Sequence, residues 1–155
     1  IKILEIMNIE LTEVPSELIR LAVKDARLSI EQGLTIDMDD WKSNNEAGEM
    51  CSVCFAGAVM LHHENMFDTK DRALPSQSNN RPQYLFLDKV RSGYLKGGLQ
   101  RLLGEDFFRR TSGVSKFLGF AEEVIDFVTY DDCENPEQFF LQMEEMAEFL
   151  ETQNL

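Results

Sequence analysis

The stretch MCSVCFAGAVML, at residues 50–61, decides the fold because it is almost wholly apolar. It is too long for a typical β-strand, so it predicts a buried central helix. The small residues at 56–58 permit close packing, and larger neighbours such as Phe55 and Val59 supply bulk. We therefore expect the rest of the chain to pack around a helix at Met50–Leu61.

Upstream of this run, the sequence predicts a helix that begins after Pro15, with Ser16 as its N-cap. Gly33 ends it, as glycine commonly does after the last helical turn. Its apolar residues recur at helical spacing and should face the core: Ile19, Val23, Ala26 and Ile30.

The segment between this helix and the apolar run has strand character. Apolar and polar residues alternate from Leu34 to Trp41, which predicts a short strand paired with Ile1–Ile6 as an N-terminal β-hairpin. The polar residues 42–49 (KSNNEAGE) predict a loop between this strand and the central helix.

Beyond the apolar run, the residues from Thr69 to Pro82 predict an exposed loop. From Tyr84 to Leu103 the apolar residues again follow helical spacing. Three glycines interrupt this segment, at positions 93, 97 and 98, and each costs a helix about 1 kcal/mol relative to alanine. We expect a break or a close helix crossing there.

Two further helices are predicted in the last third. One begins near Ser112 and has an apolar stripe at Phe117, Ala121, Val124 and Val128. The other begins with Asn135, Pro136 and Gln138, where Asn caps, Pro suits the first helical position and Gln completes a capping-box pattern. Its buried stripe is Phe139, Met143, Met146 and Leu150.

These elements predict a mainly α protein, a compact single-domain helical bundle over residues 1–155 with a short N-terminal β-hairpin. A chain of 155 residues with 43% hydrophobic content can bury a sizeable core. Its three cysteines do not form the even framework of a secreted disulfide scaffold, which favours a reducing cytoplasm. The sequence predicts neither an export signal nor a membrane span.

The candidate chemistry centres on Cys51 and Cys54, whose spacing lets both thiolates reach one zinc ion. His62, His63 and Cys133 could complete the ligands, but a second closely spaced pair is missing. The preferred interpretation is that both cysteines are small buried hydrophobic residues. We therefore predict no metal, no cofactor and no catalytic residues, and a Cys/His-centred metal protein or small enzyme is the alternative.

The same segment resembles the surroundings of the papain-family nucleophile. That family requires a histidine well downstream of its cysteine as a base. Here His62 and His63 lie eight and nine residues after Cys54, on the same predicted helix, and no histidine follows. The resemblance fails at the residue that would carry the mechanism.

The charge is unevenly distributed along this chain of net charge −13. Residues 81–116 hold eight Lys/Arg and three Asp/Glu, whereas residues 117–155 hold eleven Asp/Glu and no Lys or Arg. An acidic chain repels phosphate backbones, so direct nucleic-acid binding is disfavoured.

Helical geometry places these carboxylates opposite the apolar stripes of the last two predicted helices. Such a face is often only a solvated surface. Our sharper hypothesis is that it mimics a row of phosphates and occupies a basic, nucleic-acid-binding surface of another protein. The predicted partner-binding residues are Glu122, Asp126, Glu137, Glu144, Glu148 and Glu151.

The order Ser16-Glu17-Leu18-Ile19, Ile36-Asp37-Met38 with Trp41, and Cys51 to Met60 resembles a group of small phage-encoded proteins of unassigned activity. The resemblance covers roughly the first 60 residues, and no functional residues carry over from it. It implies a viral origin, and hence a non-catalytic inhibitor of a host protein, such as a phage counter-defence factor in the host cytoplasm. A structural or regulatory phage component is a further alternative.

Overall fold

The structure is a computed structural model, and it describes residues 11–64, 81–110 and 130–155. The described part is mainly α-helical with one small three-stranded sheet, which confirms the prediction of a mainly α protein. Its helices are α1 (Pro15–Glu31), α2 (Phe55–Val59), α3 (Pro82–Arg91), α4 (Leu95–Leu103), α5 (Glu105–Arg110) and α6 (Pro136–Thr152). The strands are β1 (Thr35–Ile36), β2 (Lys42–Asn44) and β3 (Met50–Val53).

Helix α1 begins and ends where the sequence predicts, with the exception of its N-cap. Pro15 occupies the first helical turn, and Gly33 adopts a φ of +91° just after the last turn. There the Gly33 and Leu34 amides donate to the Ile30 and Ser29 carbonyls, which closes the helix end. The predicted N-cap Ser16 is wrong, because Val14 takes that position.

The side chains of α1 explain both that error and a second one. Ser16 lies inside the helix and is buried, and its hydroxyl donates to the carbonyl oxygen of Leu155 at 3.1 Å. Ile19, Val23 and Ala26 are buried as predicted. Ile30 is exposed instead, because it lies in the last turn, beyond most of the core.

The sheet has the order β1-β3-β2, with β1 parallel and β2 antiparallel to β3. The predicted strand at Leu34–Trp41 is therefore shortened to Thr35–Ile36, and its described partner is β3. The predicted loop at 42–49 is wrong in part, because its first three residues form β2. The remainder turns at Asn45, whose amide donates to the Glu49 carbonyl, and at Gly48, which has a φ of +81°.

The apolar run that decides the fold contains two elements instead of one helix. Its first four residues form β3, the central strand, and a helix over the whole of Met50–Leu61 is wrong for this reason. Cys54 then has extended backbone and caps α2, which continues into a π-helical turn at Met60–Glu64. The stretch from Val53 to Met60 is buried, so its predicted central position is confirmed.

The glycine-rich segment shows both of the expected features. The chain breaks between α3 and α4 at Gly93, which has a φ of +83°. The two helices then cross closely at Gly98, where a Cβ would lie 3.1 Å from the Phe86 carbonyl oxygen and 3.2 Å from the Val90 side chain.

Helix α6 starts where the sequence predicts. The Asn135 side chain accepts a hydrogen bond from the Gln138 amide at 2.9 Å, while the Gln138 side chain accepts from the Glu134 amide at 2.7 Å. The predicted stripe of α6 is fully buried. Within the core, the Phe55 ring lies 5.3 and 6.1 Å from the rings of Phe139 and Phe140, which ties α2 to α6.

Three predicted features lie outside the described residues: the strand at Ile1–Ile6, the helix from about Ser112, and the loop from Thr69 except for its end, where Pro82 begins α3. Within the ranges 11–64, 81–110 and 130–155, no helix has the length and apolar character needed to cross a bilayer.

Candidate protein-binding surface and buried polar cluster

Helices α1 and α6 are antiparallel, and a line of ion pairs joins them. Near the start of α6, Arg27 binds Glu137 and, at 2.8 Å, Glu144. Near its end, Arg20 lies 2.9 Å from Glu151. The hydrogen bond to Glu137 is the largest of several influences that raise the pKa of the Arg27 guanidinium, so it stays charged. We call this contact the α1–α6 seam.

The seam changes the interpretation of the predicted partner-binding residues. Three of them are neutralised by cations of α1: Glu137, Glu144 and Glu151. Residues 117–155 contain no Lys or Arg, and these cations come from α1, far away in the chain. Glu122 and Asp126 lie outside the described residues.

Beside the seam, α6 also exposes residues that do not pair with α1. Glu145 and Glu148 are exposed there, and neither has an ion-pair partner in the described part of the chain. Beside them, one turn earlier, Leu141 is 53% exposed. We call Leu141, Glu145 and Glu148 the outer face of α6.

Sequence reasoning selected Glu148 but missed Leu141 as a site residue. A signal was present, because Leu141 follows Phe139 by two residues and thus lies about 200° around the helix from the buried stripe. A leucine at that angle must point to solvent or to another molecule.

A second group of polar residues lies on the opposite, buried side of α1. Asp25 and Ser29 occupy successive turns there, and the π-helical turn brings His62 and His63 against them. The Ser29 hydroxyl lies 3.0 Å from His62 Nε2, and Asp25 Oδ2 lies 3.0 Å from His63 Nε2. The side chain of Asp25 is 2% exposed and Ser29 is fully buried. We call these four residues the buried polar cluster.

The assignment of hydrogen-bond donors and acceptors shows what the Ser29–His62 contact can do. The Ser29 hydroxyl donates its single hydrogen to the Asp25 carbonyl oxygen at 2.8 Å. His62 Nε2 must therefore be the donor to Ser29 Oγ. A base has to accept the serine proton to activate a nucleophile, so this geometry does not support Ser29 as one.

Just below pH 7, the Asp25–His63 contact joins a protonated carboxyl group to a neutral imidazole. Burial raises the pKa of Asp25 to about 7, and burial followed by the charges of His62 and Lys24 lowers the pKa of His63. Asp25 Oδ2 is buried and has no other polar contact with the described side chains. A protonated Oδ2 can donate to His63 Nε2, which satisfies both atoms.

Tyr84 of α3 is also fully buried, and its hydroxyl has no hydrogen-bond partner within the described ranges. Burial raises its pKa, and the nearby Asp25 raises it further. The hydroxyl therefore stays protonated and costs stability, about 1–3 kcal/mol for a buried polar group without a partner.

Two of the three cysteines make hydrogen bonds at separate places. Cys51 donates to the Ser43 carbonyl in the sheet, and Cys54 accepts from the Gly57 amide as the cap of α2. Burial raises the pKa of the Cys54 thiol to about 11, so it is a poor metal ligand or nucleophile. In the described ranges, no three His, Cys, Asp or Glu side chains converge on a common metal position.

The described residues line shallow surface grooves, including two of similar size. One, of about 320 Å³, follows the seam and is lined by Arg20, Lys24, Arg27 and Glu144 among others. The other, of about 340 Å³, lies on the β2–β3 turn and is lined by polar residues at 42–48. Neither is lined by a cysteine or a histidine, so neither supports the metal or enzyme alternative.

The chain matches no family model, and neither the curated proteins nor the solved structures include a significant match.

Proposed function

We propose that this protein is a non-catalytic binding protein whose outer α6 face contacts a basic surface of another protein. The observation that carries the proposal is the combination of an exposed leucine, Leu141, with two carboxylates, Glu145 and Glu148, that the described fold does not neutralise. Binding surfaces commonly join an apolar anchor to charged residues that steer the encounter.

The partner that fits this surface best is a protein whose own ligand is a nucleic acid. Surfaces that bind nucleic acids are rich in Lys and Arg, and carboxylates spaced along a helix can substitute for phosphates. Together with the phage resemblance, this favours an inhibitor of a host defence protein in the host cytoplasm, in the form of a compact single-domain helical bundle. Of the predicted residues, Glu148 is central, and Glu137, Glu144 and Glu151 contribute through the seam.

The alternative of a Cys/His-centred metal protein or small enzyme has less support. His62 and His63 contact Ser29 and Asp25, while Cys51 and Cys54 bond to the sheet and to α2. A structural or regulatory phage component is the third candidate, and the exposure of Leu141 favours it when the contact proves mainly apolar.

The test uses two variants that remove equal charge from the same helix. Glu145→Gln/Glu148→Gln changes the outer face, and Glu144→Gln/Glu151→Gln changes the seam. Each protein is immobilised and exposed to a host-cell lysate, and the retained proteins are identified by mass spectrometry. We expect wild type and the seam variant to retain a shared basic protein that the outer-face variant loses, about tenfold or more.

Two additions sharpen the test. A short DNA duplex should release the retained protein, because it competes for the same basic surface, and raising the salt above about 0.15 M should also weaken retention. Retention that is equal for both variants and insensitive to DNA and salt would contradict the electrostatic proposal. Equal retention that is lost with Leu141→Ser would favour the structural alternative.

A further inference from the structure

The two most exposed large hydrophobic residues of the described chain lie on faces of opposite charge. Leu141, 53% exposed, lies on the acidic outer face of α6. Tyr94, 65% exposed, lies at the start of α4 in the basic segment. Single exposed hydrophobic residues are ordinary, but a pair flanked by complementary charges is the composition of two halves of one interface.

The basic half has a defined shape. Tyr94, Gly97 and Arg101 follow one another at helical spacing, so they share one side of α4. A Cβ at Gly97 would meet a single neighbouring atom, Tyr94 Cβ at 3.8 Å, so the glycine leaves a notch between the ring and the arginine. We call these three residues the basic face of α4.

Within the described ranges, the acidic side chains of α3 and α5 pair with other cations than the one on this face. Asp88 binds Arg91, and both Glu105 and Asp106 lie within 4 Å of Arg109. Arg101 is exposed and has no ion-pair partner within the described ranges. The guanidinium is thus available to a carboxylate from outside the molecule.

We propose that the outer face of α6 in one molecule binds the basic face of α4 in a second copy of this chain. Leu141 would enter the notch beside the Tyr94 ring, and Glu145 or Glu148 would meet Arg101. The inference rests on the proposed function, because it assigns a regulation to the same surface: self-association covers the acidic face, and a basic partner must displace the second copy.

The net charge of −13 sets the conditions under which copies meet. At low ionic strength the whole molecules repel one another, whereas at about 0.15 M the Debye length is about 8 Å and contact pairs outweigh distant repulsion. A contact of this size is at the weak end of protein interfaces. We expect a dissociation constant on the order of 0.1 mM.

The test uses two variants that each destroy one half of the contact. Glu145→Lys/Glu148→Lys removes the acidic half, and Tyr94→Ser/Arg101→Glu removes the basic half. All substituted residues are exposed, and circular dichroism checks that both variants fold. In sedimentation velocity at 0.15 M salt, wild type should self-associate with concentration, each variant alone should stay monomeric, and an equal mixture should form a heterodimer through its intact halves.

The mixture separates this contact from any other form of self-association. A wild type that stays monomeric at about 1 mM overturns the inference, and so does a mixture without heterodimers. Neither result affects the proposed function, which is judged by retention of a basic protein on the outer-face and seam variants. If both the self-association and the proposed function are correct, Tyr94→Ser/Arg101→Glu should bind that partner more tightly than wild type at protein concentrations above about 0.1 mM.

Discussion

Helix α1 carries charged and polar residues on two sides, and the two sides differ in what they contribute. Toward α6, Arg20 and Glu151 form an ion pair although their side chains are 44% and 51% exposed. Toward α2 and the π-helical turn, Asp25 contacts His63 with a side chain that is 2% exposed. Both distances are close to 3 Å, so geometry alone does not distinguish them.

The two contacts differ in their exposure to solvent. Water screens an exposed ion pair, and such pairs typically stabilise a protein by 0–1 kcal/mol. A buried carboxyl group loses its hydration, so its protonation state and its partner matter far more. The seam is therefore a replaceable surface feature, whereas the buried polar cluster and the helix packed beside it should be sensitive to small changes.

The largest effect is expected at Gly57, where α2 approaches the backbone just before β2. A Cβ at Gly57 would overlap the Trp41 carbonyl oxygen, a backbone atom that also accepts a hydrogen bond from the Cys54 amide. Gly57→Ala must therefore move α2 or the strand connection. We expect a loss of roughly 3 kcal/mol or more in the free energy of unfolding, measured by urea denaturation.

Gly97→Ala is the matched control. Its added methyl group meets one atom at an ordinary 3.8 Å. Because alanine favours a helix over glycine, this variant should be neutral or more stable by about 0.5–1 kcal/mol. Equal destabilisation by the two substitutions would mean that the close approach at Gly57 is not what limits the packing.

The next effect concerns Asp25, and its sign depends on pH. The pKa is raised from 3.8 to about 7 by burial, so the folded chain holds a proton that the unfolded chain releases. The stability from this proton is complete below pH 3.8 and is lost as the pH rises through about 7. At about 1.4 kcal/mol per pH unit, the loss approaches a ceiling of about 4 kcal/mol.

Asp25→Asn removes this pH dependence while keeping the shape of the side chain. We expect the variant to gain stability relative to wild type between pH 5 and pH 8, by 1–3 kcal/mol as an order of magnitude, in urea denaturation at both values. Glu31→Gln, an exposed change on the same helix, should show no such trend. If wild type and Asp25→Asn differed by a constant amount at both pH values, the carboxyl group would not be protonated in the folded chain.

The sequence predicts those features of the fold that depend on residues nearby in the chain. The cap at Asn135, the stripe of α6 and the ends of α1 depend on residues within one or two turns, and they are found as predicted apart from Ser16 and Ile30. Ser16 fails because its hydroxyl binds the carbonyl of Leu155, at the other end of the chain.

The parts that the sequence does not predict depend on distant partners. The polar strand β2 exists because β3 supplies its hydrogen bonds, and an apolar run such as Met50–Leu61 has no period that marks a change from strand to helix. The same limit affects the site. A count of charges in the last third of the chain cannot include Arg20 and Arg27, although their spacing of seven residues along α1 places both on one side.

The smallest effect on stability is expected for substitutions in the α1–α6 seam. It tests whether these exposed ion pairs contribute little to folding. Arg27 binds two carboxylates and lies 5.6 Å above the Phe140 ring, whereas Arg20 binds one carboxylate. Arg27→Gln should therefore cost about 1 kcal/mol and Arg20→Gln about 0.5 kcal/mol in urea denaturation. Because salt screens exposed pairs, both losses should shrink at 1 M NaCl, where the Debye length is about 3 Å. A loss above about 3 kcal/mol for Arg27→Gln, unchanged by salt, would mean that the seam stabilises the fold as strongly as the buried side of α1. The seam variant Glu144→Gln/Glu151→Gln would then perturb the fold, and Glu145→Gln/Glu148→Gln alone would report on binding.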